Sequence, residues 1–422
     1  MRFAVFGLAF RSLLNRKGTA LLTILAVALS TALFLGVEKT RAGARAGFEA
    51  TISGTDLIVG ARSSPINLLL YSVFRLGDAT AQVSAASYRA LDAREDVAWT
   101  VPISLGDSHR GYRVMGTTTD YFERYKYARG TSLAFADGAP FDDLFDAVIG
   151  AEVAEALDYE LGSRLILTHG IGAAGLSDHD NRPFRVAGVL RPTGTPVDRT
   201  VHVSLEAITA IHVGWETGAR NPLADSITEE QIRGFNLEAR DVTAVFVGLK
   251  NRATVLRTKR AIDTDRREPL LAIIPGQTLA QLWQVTSVAE RALVAVSIFV
   301  VAVGLVSILT AILTSLNERR REMSILRAVG AGPGEIGALL VLEAALLAFA
   351  GAVLGVAIVY GLLALLGPYL AANYGVVLQG VGVSTLDVAT VAAVTGAALL
   401  MGLAPAIAAF RRSLADGLSV KL

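Results

Sequence analysis

The chain has 422 residues and no cysteine, which excludes disulfides, thiol catalysis and Cys-ligated metals. It is 52% hydrophobic and only 18% charged, against roughly a quarter charged in a soluble domain. A net charge of +1 gives no bulk attraction for nucleic acid. The charge deficit falls in four windows, as in a polytopic membrane protein with one soluble part.

Residues 1–17, MRFAVFGLAFRSLLNRK, place Phe3, Phe6, Phe10, Leu13 and Leu14 at helical spacing, with Arg2, Arg11, Arg16 and Lys17 around them. This predicts a cytoplasmic amphipathic helix lying in the inner interface. Residues 18–37 carry no charge and predict transmembrane helix 1, because about 20 residues at 1.5 Å each cross a hydrocarbon core of roughly 30 Å. The run is longer than a signal-peptide core, so an uncleaved anchor is expected.

Residues 38–290 form an insert large enough for one or two folded cores. GTDLIVG, PFRVAGVL and TAVFVGL are β-branched runs bounded by turn residues and predict strands. SAASYRALDARED and GAEVAEALDYELG predict helices, the second with Val153, Leu157 and Leu161 on one face. The mixture predicts a large α+β domain inserted between helices 1 and 2. The stretches Glu38–Ala50 and Leu279–Glu290 are expected to continue the flanking spans as a stalk. Ala61–Gly77, ARSSPINLLLYSVFRLG, is an apolar stretch with two readings: core packing, which is the plainer, or an exposed patch for a partner or apolar substrate.

Little chemistry is visible in the insert. G-x-S-x-G, H-E-x-x-H and S-x-x-K are absent, and no residue is assigned a catalytic, cofactor-binding or metal role. All five histidines lie here: His109, His169, His179, His202 and His212. His179 stands between Asp178 and Asp180, but neighbours in a loop rarely converge on one ion, and no ligand spacing recurs. A solvated loop is expected there. No P-loop occurs anywhere, so if ATP drives this protein another chain binds it.

Residues 291–316 predict helix 2, uncharged from Ala292. Residues 317–335 follow, with Arg319, Arg320 and Arg321 between Glu318 and Glu322. From Glu318 to Val329 the pattern is helical, with Met323, Leu326 and Val329 or Gly330 as a narrow apolar stripe and Arg320, Arg321 and Arg327 as a polar surface. Gly330 and Gly332 end this short helix, and Pro333 suits the first turn of the next. Residues 336–366 predict helix 3, in which Glu343 is the one intramembrane acid. It is read as structural, pairing across helices or reaching the interface. Gly351 and Gly355 form a small-xxx-small face, expected to pack helices within one subunit. A short external loop, 367–387, holds no Lys or Arg; helix 4 covers 388–410, and the tail 411–422 carries Arg411, Arg412 and Lys421. The Lys/Arg asymmetry puts both termini and 317–335 in the cytoplasm and the insert outside.

ERRREMSILRAVGA followed by LEAALLAFAGAVLG resembles the permease subunits of the MacB/FtsX type of ABC transporter. LAFRSLLNRKGTALLTILAVALSTALFLGV is similar to that family's first helices, and YRALDAREDVAWTVPISLGDSHRGYRVMGTTTDYF, DAVIGAEVAEALDYELGSRLIL and PFRVAGVLRPTGTPVDRTVHVSLEAI to its external core domain. APAIAAFRRSLADGL resembles its tail, although the usual final proline motif is weak. The resemblance implies a non-catalytic subunit of the bacterial inner membrane with a periplasmic domain. It implies a partner ATPase dimer in the cytoplasm that holds ATP and Mg²⁺, with no cofactor in this chain. It also implies a second permease copy, as homodimer or with a related permease, and a periplasmic or outer-membrane partner. In such permeases the loop between helices 2 and 3 docks on the ATPase, so Arg320, Arg321, Glu322, Ile325, Leu326 and Arg327 are the expected coupling residues. The work done is export, lipoprotein extraction or activation of an external partner. The rival reading is a membrane-anchored receptor or scaffold without an ATPase; an intramembrane enzyme is disfavoured, since a lone Glu343 makes no acid–base pair.

Overall fold

A computed structural model of the chain describes residues 16–128, 130–170, 177–178, 182–214, 227–318, 325, 327–328, 330–374 and 382–415. In chain order the principal elements begin with α1 (Lys17–Thr51), β1 (Leu57–Ala61), α2 (Pro65–Phe74), α3 (Ala85–Asp92), β2 (Val97–His109) and β3 (Tyr112–Thr117). There follow β4 (Phe135–Gly138), β5 (Asp146–Ile149), α4 (Ala151–Leu157), β6 (Phe184–Leu190), β7 (Thr200–Ser204), α5 (Leu205–Ile211), β8 (Ala244–Leu249), α6 (Val255–Asp263) and β9 (Leu270–Ile273). The chain then forms α7 (Pro275–Glu318), α8 (Pro333–Tyr374) and α9 (Thr385–Ala415). These elements divide into two compact units, one of the long helices and one built from residues 45–286 with 372–377.

The 45–286 unit is built on a mixed sheet, twelve-stranded among the described residues. Its main path is β9-β1-β8-β2-β3-β7-β5-β6-β4. β3 and β7 are parallel, as are β5 and β6, and the remaining neighbours on this path are antiparallel. β1 (LIVGA) and β8 (AVFVGL) are buried along their whole length, which is what a continuous β-branched run demands. Alternation then divides them between two cores. Ile58 and Phe246, paired in register, face the cluster that holds Leu68, Tyr71 and Phe74 of α2. Leu57, Val59, Val245 and Val247 face a second cluster with Ile262 of α6. A third cluster joins β5, β6 and β7 to Val153 of α4 and to Ala207, Ala210 and Ile211 of α5.

The helical part of the apolar stretch at 61–77 is therefore core: α2 starts on Pro65 and buries Leu68, Leu69, Tyr71, Val73 and Phe74, while Leu76 beyond it is 54% exposed. The helix expected over GAEVAEALDYELG is shorter than its pattern. α4 stops at Leu157 because Asp158 adopts a left-handed backbone, φ 54°. Val153 is buried, but Leu161 lies beyond the cap and is 48% exposed. The expected face of Val153, Leu157 and Leu161 is thus broken after its second residue.

Among the described residues, the other unit holds four helices long and apolar enough to cross a membrane, with mean hydropathy of 2.4, 2.9, 2.4 and 1.8 over an apolar window of each. Their shared core is Val27 on α1, Ile308 and Ile312 on α7, Leu340, Ala344, Ala348 and Ala352 on α8, and Val394 and Ala398 on α9. α1 passes Val37 without a break and ends at Thr51, and α7 already begins at Pro275. The flanking stretches expected as a stalk are thus single helices with their spans. Pro405 lies inside α9, where it withholds one backbone N–H.

Candidate functional site

The loop between α7 and α8 is built by two local signals. Gly330 takes a left-handed backbone, φ 103°, and its N–H donates to the Arg327 carbonyl at 2.9 Å. Two residues later the Gly332 N–H donates to the Glu335 carboxylate at 3.0 Å, which caps α8 as Pro333 opens it. Of the expected coupling residues, Ile325 and Arg327 are helical and exposed, Ile325 by 58%. Arg320, Arg321, Glu322 and Leu326 lie outside the described residues.

Glu343 is buried on α8. Gly351 and Gly355 lie against α1 of the same chain: a Cβ on Gly351 would stand 2.6 Å from the Val27 Cβ, and one on Gly355 would stand 2.6 Å from the Ala28 carbonyl oxygen. On α7, Gly304 approaches the Ser30 hydroxyl, where a Cβ would fall 2.8 Å away. α1 is thereby gripped by both neighbours at backbone distance, as glycine permits.

A polar knot that sequence reasoning missed ties α1, α8 and α9. Lys39 Nζ donates to Asp387 Oδ2 and to the Tyr360 hydroxyl, each at 3.0 Å. The Tyr360 hydroxyl donates to Asp387 Oδ2 at 2.7 Å, and the Ser384 N–H and hydroxyl donate to it at 2.7 and 2.9 Å. Asp387 is 1% exposed, so its charge is held by this shell rather than by water. A signal was available, since Asp387 is the only charged residue in the stretch 367–387. Nearby, Arg41 bridges Glu38 on its own helix and Glu290 on α7, the latter at 3.3 Å.

The histidines of the 45–286 unit separate by environment. His202 is fully buried beside Tyr121 and Phe122, and desolvation, with Arg75 adding repulsion, depresses its pKa to about 3. His109 is buried between the Ile166 carbonyl and the Tyr159 hydroxyl, and burial lowers its pKa. His179 and Asp180 lie outside the described residues. His169 and His212 meet at Asp107 beside a cleft of about 600 Å³.

Four membrane-length helices and one large α+β insert between the first and second define a multi-pass membrane protein with a periplasmic-type domain. The MacB-like periplasmic core domain matches residues 20–264, more than half of the chain, and the FtsX-like permease C-terminal domain matches residues 294–415. The chain belongs to the MacB/FtsX permease family, whose members are typically non-catalytic subunits of ABC transporters. The periplasmic region of MacB from Actinobacillus actinomycetemcomitans is similar at 10% identity and a TM-score of 0.33, covering 55% of this chain and 94% of that one. The extracellular domain of the noncanonic ABC-type transporter YknZ from Gram-positive bacteria is similar at 14% identity and a TM-score of 0.30, covering 51% and 98%. No match was found among curated proteins.

Proposed function

We propose that this chain is the membrane subunit of an ABC transporter whose ATPase is a separate cytoplasmic protein, and that hydrolysis there is passed along α1 and α7 to the periplasmic domain. The observation that carries this reading is that α1 and α7 are unbroken helices with residues in both compact units. Within the membrane unit they are joined by Arg41–Glu290 and by the contact of Gly304 with Ser30. Within the other unit their ends, Phe48 and Ile52 on α1 and Leu282 and Trp283 on α7, pack on the domain core. Phe48 meets Phe74 at 4.4 Å and Trp283 at 5.6 Å between ring centroids. Helix ends fixed in a close-packed core give a displacement a physical route into that core.

In this reading ATP and Mg²⁺ are bound by the ATPase dimer, and a second permease copy completes the membrane part with α1 and α7 central. The Lys/Arg asymmetry supports cytoplasmic termini and a cytoplasmic 317–335 loop. Exposed Ile325 and its neighbour Leu326 are the apolar anchors for the ATPase, and the arginines form the charged rim. Burying such an anchor is commonly worth more than about 1.4 kcal/mol, a tenfold change in affinity. Ile325→Asp and Leu326→Asp are therefore expected to cut ATPase co-purification about tenfold or more while the protein still inserts. Arg319→Ala is expected to cost less and to depend on salt. If both aspartate variants keep the ATPase at wild-type level while arginine replacements change topology, the loop is only a positive-inside connector and the receptor reading gains.

A further inference from the structure

Three residues far apart in sequence converge on the cleft of about 600 Å³ in the 45–286 unit. Asp107 stands on β2, opposite His169 in the antiparallel register of the short strand Thr168–His169. His212 caps the C-terminus of α5. Asp107 Oδ1 lies 3.2 Å from His169 Nδ1 and 3.7 Å from His212 Nε2, and the two ring nitrogens are 3.1 Å apart. The rings cross at 76° and are not stacked; their closest approach is between these two nitrogens. Asp107 is 2% exposed, and all three residues line the cleft.

The protonation pattern is fixed from outside the cluster. His212 Nδ1 lies 2.7 Å from the Ile208 carbonyl, which can only accept, so Nδ1 carries the proton and Nε2 presents its lone pair to the cluster. A metal-ligating histidine is oriented in this same way, its other nitrogen donating to a carbonyl or carboxylate. In a tetrahedral zinc site with bonds of about 2.0–2.1 Å, neighbouring ligand atoms stand about 3.3 Å apart. The three edges here, 3.1, 3.2 and 3.7 Å, bracket that length. Metal binding through His169 Nδ1 displaces the proton that this nitrogen shares with Asp107 and His212, and a proton on Nε2 then keeps the ring neutral. Imidazole nitrogens with a single carboxylate favour zinc over magnesium or calcium, and three protein ligands leave the fourth position of the tetrahedron open.

We propose that Asp107, His169 and His212 bind one Zn²⁺ ion whose fourth coordination position opens into the cleft and takes a donor atom from an exogenous ligand. The site makes the cleft, otherwise lined by groups such as Phe235, Asn236 and Arg240, a metal-dependent binding pocket on the periplasmic domain. It stands apart from the ATPase-coupling reading: either can fail without the other.

The test uses the full-length protein in detergent, stripped with a chelator and dialysed against micromolar Zn²⁺. One zinc per chain is expected by elemental analysis. His169→Ala and His212→Ala are each expected to weaken binding at least about 100-fold, since losing even an outer-shell partner of a ligand costs 10–100-fold. A wild-type protein that retains no zinc, or alanine variants that retain it as tightly as wild type, would overturn the proposal. Should the variants fail to fold, Co²⁺ titration of the wild type decides. Intense visible absorption of four-coordinate Co²⁺, bleached by added Zn²⁺, supports the site; a spectrum no stronger than that of aqueous Co²⁺ refutes it.

Discussion

His202 shows what a single residue can impose on the whole domain. Its Nδ1 donates to the Val148 carbonyl at 3.1 Å, its ring sits among aromatics, and no water reaches it. The folded protein therefore keeps it neutral down to a pKa of about 3, whereas the unfolded chain protonates it near 6.5. Between those values the unfolded state binds the extra proton, so stability rises with pH across that window. The neutral-His state contributes fully above about pH 6.5 and is lost as the pH falls, by up to about 1.4 kcal/mol per unit. Burial lowers the pKa of His109 as well and adds in the same direction. His202→Phe, close in shape and unable to titrate, is expected to flatten the fall in Tm between pH 7 and 5. The measurement is thermal melting of the full chain in detergent at both pH values, and equal slopes for variant and wild type would clear His202 of the effect.

At the scale of elements, the membrane unit is assembled by backbone proximity on one side and by a charge knot on the other. Gly355 is limited by the Ala28 carbonyl and by Thr31 Cβ, which a new Cβ would approach to 2.6 and 2.8 Å. Neither neighbour is the free end of a flexible side chain, so any larger residue must push α8 from α1. Overpacking of this kind costs about 1–3 kcal/mol. Gly355→Leu is expected to lower Tm and folded yield, while Gly361→Leu, on the same helix with nothing within 4 Å of its Cβ position, should behave as wild type. Size-exclusion profiles and melting of the two variants report this. A Gly355→Leu protein that stays folded and merely changes oligomeric state would place the close contact between subunits instead.

At the scale of the whole molecule, the orientation reading is open to direct chemistry because the chain lacks cysteine. Ser108 is a poor reporter for the insert: it is buried, and its hydroxyl donates to the Gly170 carbonyl at 2.6 Å. Ser132, in the exposed short strand Thr131–Ser132, is suitable. Ser132→Cys should react with a membrane-impermeant maleimide added to intact spheroplasts, and Ser413→Cys only after lysis. Labelling of Ser413→Cys without lysis would invert the topology.

Sequence alone determined the four apolar helices, the insertion of an α+β domain after the first, and the family. These rest on short-range quantities: the length of an apolar run, the continuous β-branched runs LIVGA and AVFVGL, and the Gly330, Gly332 and Pro333 corner, whose backbone preferences are local. Pattern could not decide whether Ala61–Gly77 was core or patch, because burial depends on which sheet face α2 meets. It extended α4 to Leu161 because periodicity does not register the left-handed turn at Asp158. Only tertiary structure brought Asp387 to Lys39 across 348 positions, and His169 to Asp107 across 62 and to His212 across 43. Such meetings are set by strand register and helix packing, where a one-residue slip turns a side chain to the other face, and no local spacing encodes them.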